Sequence, residues 1–260
     1  MASTLIVDQI QKTGGSTTAL TLPTSNASAD EFLQNDGAGA LSWASAGGGF
    51  LGLVPFESSG DYTPGTSGHA DVSKIIVEVQ ASGGGSGGID GVGYVGGSGG
   101  GGAYALKFLD IGTDRSVITK CTVTVGAASS ATPVAAGNTS SFAKASSGGG
   151  SGSFTTITCA GGSGGSSGSG AQGSGGAGAA KPTTGDINYA GGSGAHGGAN
   201  FLTAIGGWSK LGGYNMHSNP TGSHAPTANV GYGRGASVGT GLSQSGGASG
   251  PGIVLVWEYK

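Results

Sequence analysis

Glycine occurs in blocks along this chain, and the blocks interrupt segments that otherwise alternate like β-strands. Glycine accounts for 61 of the 260 residues. Because glycine loses more backbone entropy on folding than any other residue, a block such as GGSGGGG (96–102) can be ordered only if something replaces the missing side-chain packing. Backbones without Cβ atoms can approach closely enough to hydrogen-bond laterally. The blocks are therefore predicted to pack as extended helices of the polyglycine II type, with three residues per turn.

The low charge of the chain also favours an ordered structure. The formal net charge is −3, and only 9% of the residues are charged. A solvated, disordered chain usually depends on a high net charge to stay dissolved. A collagen triple helix is excluded, because the glycines keep no G-X-Y register and there are only eight prolines.

Five segments have the period of two that is typical of β-strands. In KIIVEVQ, Ile75, Val77 and Val79 share one face, and Glu78 and Gln80 share the other. The remaining four are AYALKFLDI (103–111), SVITKCTVTV (116–125), SGSFTTITCA (151–160) and GIVLVWEYK (252–260), and the last places Ile253, Leu255, Trp257 and Tyr259 on one face. No segment combines a helical period with caps, so no helix is expected.

The predicted fold class is therefore all-β. We expect a β-sandwich-like domain whose strand set begins near Lys74 and closes with the C-terminal strand. Its long glycine-rich excursions are predicted to pack as polyglycine II-type helices. A short β-structured attachment segment is expected to precede this domain.

The chain is predicted to divide between residues 47 and 48. Residues 1–47 have no apolar stretch large enough for a core, so they are expected to be ordered only against partner chains or a larger body. Residues 48–260 form the glycine-rich β domain. The N-terminus lacks a signal-peptide pattern, and the longest apolar run, IVLVW (253–257), is too short to span a bilayer. Synthesis in a cytoplasm without membrane insertion is expected, and Cys121 and Cys159 are then favoured to be reduced thiols over a disulfide.

Catalytic chemistry has little support in the sequence. GVGYVG (91–96) matches the dinucleotide-binding fingerprint, with Asp110 near the expected distance, but the fingerprint requires a preceding strand and a following helix. A glycosidase needs two carboxylates about 5 to 10 Å apart, and residues 187–257 contain no Asp or Glu. No enzyme activity is expected.

Cofactors, metals and nucleic acids are not expected as ligands either. The four histidines show no zinc-like spacing with cysteine or carboxylate. The ten basic residues are dispersed along the chain and form no positive stripe.

One segment, residues 199–234, combines large amphipathic side chains with turn residues. Aromatic and Arg side chains on short turns suit recognition, since they provide much contact area for little ordering entropy. Its candidate binding residues are Trp208, Tyr214, Met216, His217, His224, Tyr232 and Arg234. The alternative is that Phe201, Ile205 and Trp208 pack beneath the loops as part of the core. Tyr94, in the first glycine block, is a further candidate at a loop apex.

The order of several blocks resembles the glycine-rich domain of bacteriophage tail fibres. These blocks are ESSGDYTPG (57–65), VSKIIVEVQASGGGSGG (72–88), GGGGAYALKFLDI (99–111), VTVGAA (123–128), GNTSSFA (137–143), GDINYAGGSG (185–194) and GASGPGIVLVWEY (247–259). The stretch VDQIQKTGGSTTALTLPTS (7–25), with FLQNDGAGALSWA (32–44), is similar to segments that connect such fibres to a shaft or virion mount.

The resemblance implies a phage virion protein of the fibre class that binds the host surface. It implies a homotrimer, other virion tail or fibre proteins as partners of residues 1–47, and a host glycan or outer-membrane protein as receptor. Two alternatives stay open: a structural virion protein, such as a head decoration or fibre connector without receptor binding, and a polysaccharide-degrading spike.

Overall fold

In a computed structural model of the chain, the described residues form two compact units. One unit consists of Met1–Gly49 with Lys260, and the other of Phe50–Tyr259. The described residues are 9–10, 20–27, 31–35, 40–45, 49–88, 95–111, 118–130, 135–168, 172–197, 205–215, 231–238 and 246–260. The division between the units lies close to the predicted boundary at residues 47 and 48.

The described part of the first unit contains two antiparallel strand pairs. Strands β1 (Gln9–Ile10) and β2 (Leu20–Thr21) form one pair, and β3 (Glu31–Asn35) and β4 (Leu41–Ser45) form the other. The β3 side chains Phe32 and Leu33 are exposed. A two-stranded hairpin is only marginally stable by itself in water.

The second unit contains the remaining eleven described strands, which pair antiparallel throughout. They are β5 (Phe50–Phe56), β6 (Gly60–Tyr62), β7 (Lys74–Gln80), β8 (Tyr104–Asp110), β9 (Cys121–Thr124), β10 (Ser140–Lys144), β11 (Ile157–Cys159), β12 (Ile187–Tyr189), β13 (Gly206–Ser209), β14 (Gly213–Asn215) and β15 (Ile253–Tyr259). No helix occurs among the described residues, so none there could cross a membrane. The all-β prediction is confirmed.

Two larger sheets enclose one apolar core. The four-stranded sheet has the order β11-β10-β9-β6, and the five-stranded sheet has the order β12-β8-β7-β15-β5. Strand β7 contributes Ile75, Val77 and Val79 to the core, as its alternation predicts. From the four-stranded sheet, Phe142 is fully buried, and its ring centroid lies 5.9 Å from that of Tyr62.

The sandwich begins earlier in the chain than predicted. Strand β5 pairs with β15, and β6 pairs with β9, whereas the sequence placed the first strand near Lys74. Strand β5 contains Gly52 and Pro55, which obscure its pattern. It lies at the edge of its sheet, where proline is tolerated because one side of the strand has no hydrogen-bonding neighbour.

Cys121 and Cys159 are buried free thiols, which agrees with the reduced state expected from the sequence. Burial raises the pKa of each thiol to about 12. Since the thiolate is the reactive form, neither cysteine is expected to react with Ellman's reagent in the native protein at mildly alkaline pH. Both should react once the chain is unfolded in guanidinium, which serves as the control. Rapid native labelling of either thiol would contradict the burial.

Candidate functional site

The glycine-rich segments of the second unit run side by side and are joined by backbone hydrogen bonds. We call the following described segments the glycine bundle: 81–88, 95–103, 160–168, 172–179, 191–197 and 233–238. Bonds between two of them recur at every third residue: the amides of Gly97, Gly100 and Ala103 donate to the carbonyls of Ser166, Ser163 and Ala160 over 2.8, 2.9 and 3.0 Å.

Consecutive residues of the segment 95–103 donate in three different directions. The amides of Gly97, Ser98 and Gly99 donate to Ser166, Ala195 and Ala236 respectively. Its carbonyls accept from three further segments: Gly87 donates to Gly97, Gly176 to Ser98, and Gly207 to Gly99. This segment is thus bonded to six neighbours. Extended helices of the polyglycine II type have three residues per turn, so the prediction requires hydrogen bonds that return to the same neighbour at every third residue.

The bundle is packed too closely for side chains at several glycines of its central segment. A Cβ atom built at Gly99, Gly100 or Gly101 would lie well under 3.0 Å from a carbonyl oxygen, and each of the three would meet a different neighbour. Glycine is therefore needed here for close backbone approach rather than for an unusual dihedral angle.

Several described segment ends lie together at the end of the bundle remote from the sandwich, which we call the far end. The amide of Gly168 donates to the carbonyl of Gly88, and the amide of Gly173 donates to that of Val95. Gly197 donates to Gly173, and the Val95 side chain packs with that of Val238. These residues flank the segments 89–94, 169–171 and 198–204, which lie outside the described residues. The chain therefore enters and leaves these three connections at one place.

At the opposite end, Gln80 joins the sandwich to the bundle. Its side chain is fully buried, and Nε2 donates to the carbonyls of Gly102 and Ala103 at 3.0 Å each. The Leu211 amide, in the β13–β14 turn, donates to Oε1 at 3.4 Å. Gly233, with φ of 72°, packs against the side-chain amide of Gln80. A side chain at position 233 would therefore be strained and would also clash with Gln80.

Trp208 packs on the bundle. The indole lies against Gly192, where a Cβ would fall well under 3.0 Å from the ring, and the Trp208 carbonyl accepts from the Gly192 amide at 2.9 Å. The side chain is half-buried. This arrangement corresponds to the packing alternative considered for Trp208 more closely than to a free anchor.

Tyr232 and Arg234 lie beside the same β13–β14 hairpin. The Tyr232 hydroxyl donates to the Glu57 carboxylate, and chiefly this hydrogen bond raises the pKa of Tyr232. The aliphatic part of Arg234 contacts Gly212 and Gly231, and burial lowers the pKa of its guanidinium. Both side chains are half-buried.

The structure thus brings Trp208, Tyr232 and Arg234 together around the hairpin, away from the far end. Tyr214 lies in β14. The other candidates, Tyr94, Met216, His217 and His224, lie outside the described residues. Val95, which follows Tyr94 in the chain, lies at the far end.

Sequence reasoning missed the bridging role of Gln80. The only signal in the sequence was a polar residue at the end of an apolar strand, immediately before a glycine block. Lys210 Nζ lies 5.0 Å from the ring centroid of Tyr189, within the range of a cation–π interaction.

Among the residues that the structure describes, no group of three or more His, Cys, Asp or Glu side chains could hold a metal ion. No protein-family model matches the chain, and a search of the curated proteins finds no match to it.

Proposed function

We propose that the chain is a phage tail-fibre virion protein that recognises the host-cell surface through connections held on the glycine bundle. The observation that carries the proposal is the convergence of Gly88, Val95, Gly168 and Gly197 at the far end. These residues flank three chain connections, and lateral hydrogen bonds join the flanking residues to one another or to neighbouring segments.

Such a scaffold suits recognition because little entropy is lost on binding. Each segment of the bundle is restrained by its neighbours, so the ends of the connections are already positioned before a receptor arrives. Preorganisation of this kind improves affinity by lowering the ordering cost. The host receptor would be a surface glycan or an outer-membrane protein.

Residues 1–47 would mount the protein on the virion and contact other tail or fibre proteins. A homotrimer would present three copies of the far end, and several fibres per particle would add to that number. Linked weak contacts then yield tight attachment, because each later contact forms at a high effective concentration.

Adsorption measurements test the proposal. The purified full-length protein is expected to compete with phage for host cells, and gold-labelled antibody against residues 48–260 is expected to mark the distal ends of tail appendages. Replacing residues 198–204 by a Gly/Ser segment of equal length, or Tyr94→Ala, should abolish competition. The melting temperature should stay unchanged, because the lateral bonds of the bundle remain.

Lys210→Ala is the matched control, since Lys210 is exposed and lies at the sandwich end of the bundle. This variant should compete as well as the wild type. Label over the head or along the tail body, together with no competition by the wild-type protein, would overturn the proposal and favour a decoration or connector role.

A further inference from the structure

The outer face of the five-stranded sheet carries continuous rows of apolar side chains. The register aligns Phe108, Ile76, Trp257 and Leu53 across β8, β7, β15 and β5. Residues directly opposite one another in antiparallel strands point to the same side of the sheet. The opposite side of the same strands holds the core residues Val77 and Val256, so this sheet is apolar on both faces.

A second row lies beside the first. It aligns Ile187, Leu106, Glu78, Leu255 and Pro55 across all five strands. An antiparallel sheet usually has one face on the core and a polar face towards water. The face of the five-stranded sheet that points away from the core departs from that pattern, because it carries the two apolar rows. We call it the outer sheet face.

The exposed area is large for a surface that stays in water. Phe50 and Phe108 are each 56% exposed, and Ile187, Tyr189 and Leu53 are between 39% and 43% exposed. With the half-buried apolar side chains between them, roughly 700 Å² would be covered by a partner, taking about 200 Å² for each fully exposed large side chain. A standard stable interface covers about 800 Å² per partner, and a soluble monomer rarely has an apolar patch above about 600 Å².

The charges of this face suit contact with an identical face. Both oxygens of Glu78 already accept hydrogen bonds, from the Tyr104 hydroxyl and from Trp257 Nε1, at 2.7 Å each. At one end of the face, Lys74 lies directly opposite Asp110 in the register. A second copy related by a two-fold axis that runs parallel to the strands, between β7 and β8, would set its Asp110 near Lys74 and its Lys74 near Asp110, so opposite charges would meet.

We propose that the outer sheet face is a contact surface for a second copy of this chain. The apolar rows pack against their equivalents, and the Lys74 and Asp110 end fixes the relative orientation. Because equivalent faces meet, the contact is two-fold and joins two copies, so the inference does not depend on the proposed function or on its homotrimer. Adsorption plays no part in its test, so either idea can fail alone.

The test is the mass of the full chain in solution, measured by light scattering after size exclusion over a range of concentrations. The wild type is expected to self-associate. The double variant Phe108→Lys with Leu53→Lys should weaken association by at least about tenfold, since buried apolar anchors dominate interface energies. Ile187→Lys is a second variant with the same expected direction.

Thr124→Lys is the matched control. Thr124 is exposed on the outer side of the four-stranded sheet, so Thr124→Lys adds to the other surface of the sandwich the single positive charge that Ile187→Lys adds to the outer sheet face. It should leave self-association unchanged. Far-UV circular dichroism and melting temperature check that each variant folds, as expected for exposed positions.

Residues 1–47 could hold the copies together without the outer sheet face. Hydroxyl-radical labelling of Trp257 and Tyr259 distinguishes that arrangement from the proposed contact. Both residues should be protected in the wild-type oligomer and should become labelled faster in the double variant. A monomeric wild type up to its solubility limit would overturn the proposal, as would equal labelling of Trp257 in the wild-type oligomer and the double variant.

Discussion

Gly100→Ala is expected to lower the free energy of unfolding of the second unit by at least about 3 kcal/mol, the upper end of typical overpacking effects. A Cβ on Gly100 would lie well under 3.0 Å from the carbonyl oxygen of Ala177. Backbone cannot move aside as a flexible side chain does. The Gly100 amide also donates to Ser163 at 2.9 Å, and its carbonyl accepts from Gly84 at 2.8 Å, so displacing this residue weakens both bonds.

Chemical denaturation of the purified full chain measures this effect, with Gly60→Ala as the control. A Cβ at Gly60 would lie 3.8 Å from the Phe56 ring, which is an ordinary contact. Gly60→Ala should be neutral or should stabilise by a few tenths of a kcal/mol, because alanine lowers the entropy of the unfolded chain. If the two variants had equal stability, the close packing of the bundle would be wrong.

Glu258→Ala is expected to lower the free energy of unfolding by about 3 kcal/mol, because it leaves the buried Tyr62 hydroxyl and the half-buried donors of Gly65 and Ser67 without their acceptor. The carboxylate is fully buried. Its Oε1 accepts from the Tyr62 hydroxyl at 2.8 Å and from the Gly65 amide at 2.9 Å. Its Oε2 accepts from the hydroxyl and amide of Ser67. The loss should be smaller for Glu258→Gln, which keeps one acceptor oxygen.

The contribution of Glu258 should also depend on pH. Burial by itself would raise the pKa of this carboxyl, but hydrogen bonds from Ser67, Tyr62 and the Gly65 amide outweigh burial and hold the pKa below its usual value. A depressed folded-state pKa stabilises the fold above the unfolded-state pKa of about 4.3. That stabilisation is lost as pH falls through the folded-state value.

Melting temperatures of the wild type and Glu258→Gln, measured from neutral to acidic pH, test this linkage. The difference between the two should be largest near neutral pH and should shrink at acidic pH. Glu57→Gln, at an exposed position with one hydroxyl partner, is the control, and it should change the free energy of unfolding by less than about 1 kcal/mol. Parallel pH profiles for the wild type and Glu258→Gln would show that Glu258 is not the titrating group.

The sequence predicted part of the sandwich well. Alternation in KIIVEVQ identified β7 and its buried residues Ile75, Val77 and Val79. Strand β12 was not predicted, since three residues, INY, carry too little pattern. In β15 the sequence grouped Leu255 with Trp257 and Tyr259, but apolar residues occupy both faces. Only packing against the other sheet shows that Val254 and Val256 are inside.

The candidate site was predicted less completely. Aromatic and basic composition made Trp208, Tyr232 and Arg234 candidates, and the structure places all three around the β13–β14 hairpin. Composition could not show that Val95 and Gly197 meet at the far end, because both residues are hydrogen-bonded to Gly173, which belongs to another segment.

By itself, the sequence determined the all-β class and the need for close backbone packing, because strand alternation and the absence of Cβ atoms are local properties of the chain. Only the tertiary structure decided which face of each strand is buried, which segments surround residues 95–103, and where the connections emerge. Those features depend on pairings between residues far apart in sequence, and glycine blocks of nearly identical composition carry no side-chain pattern that distinguishes one partner from another.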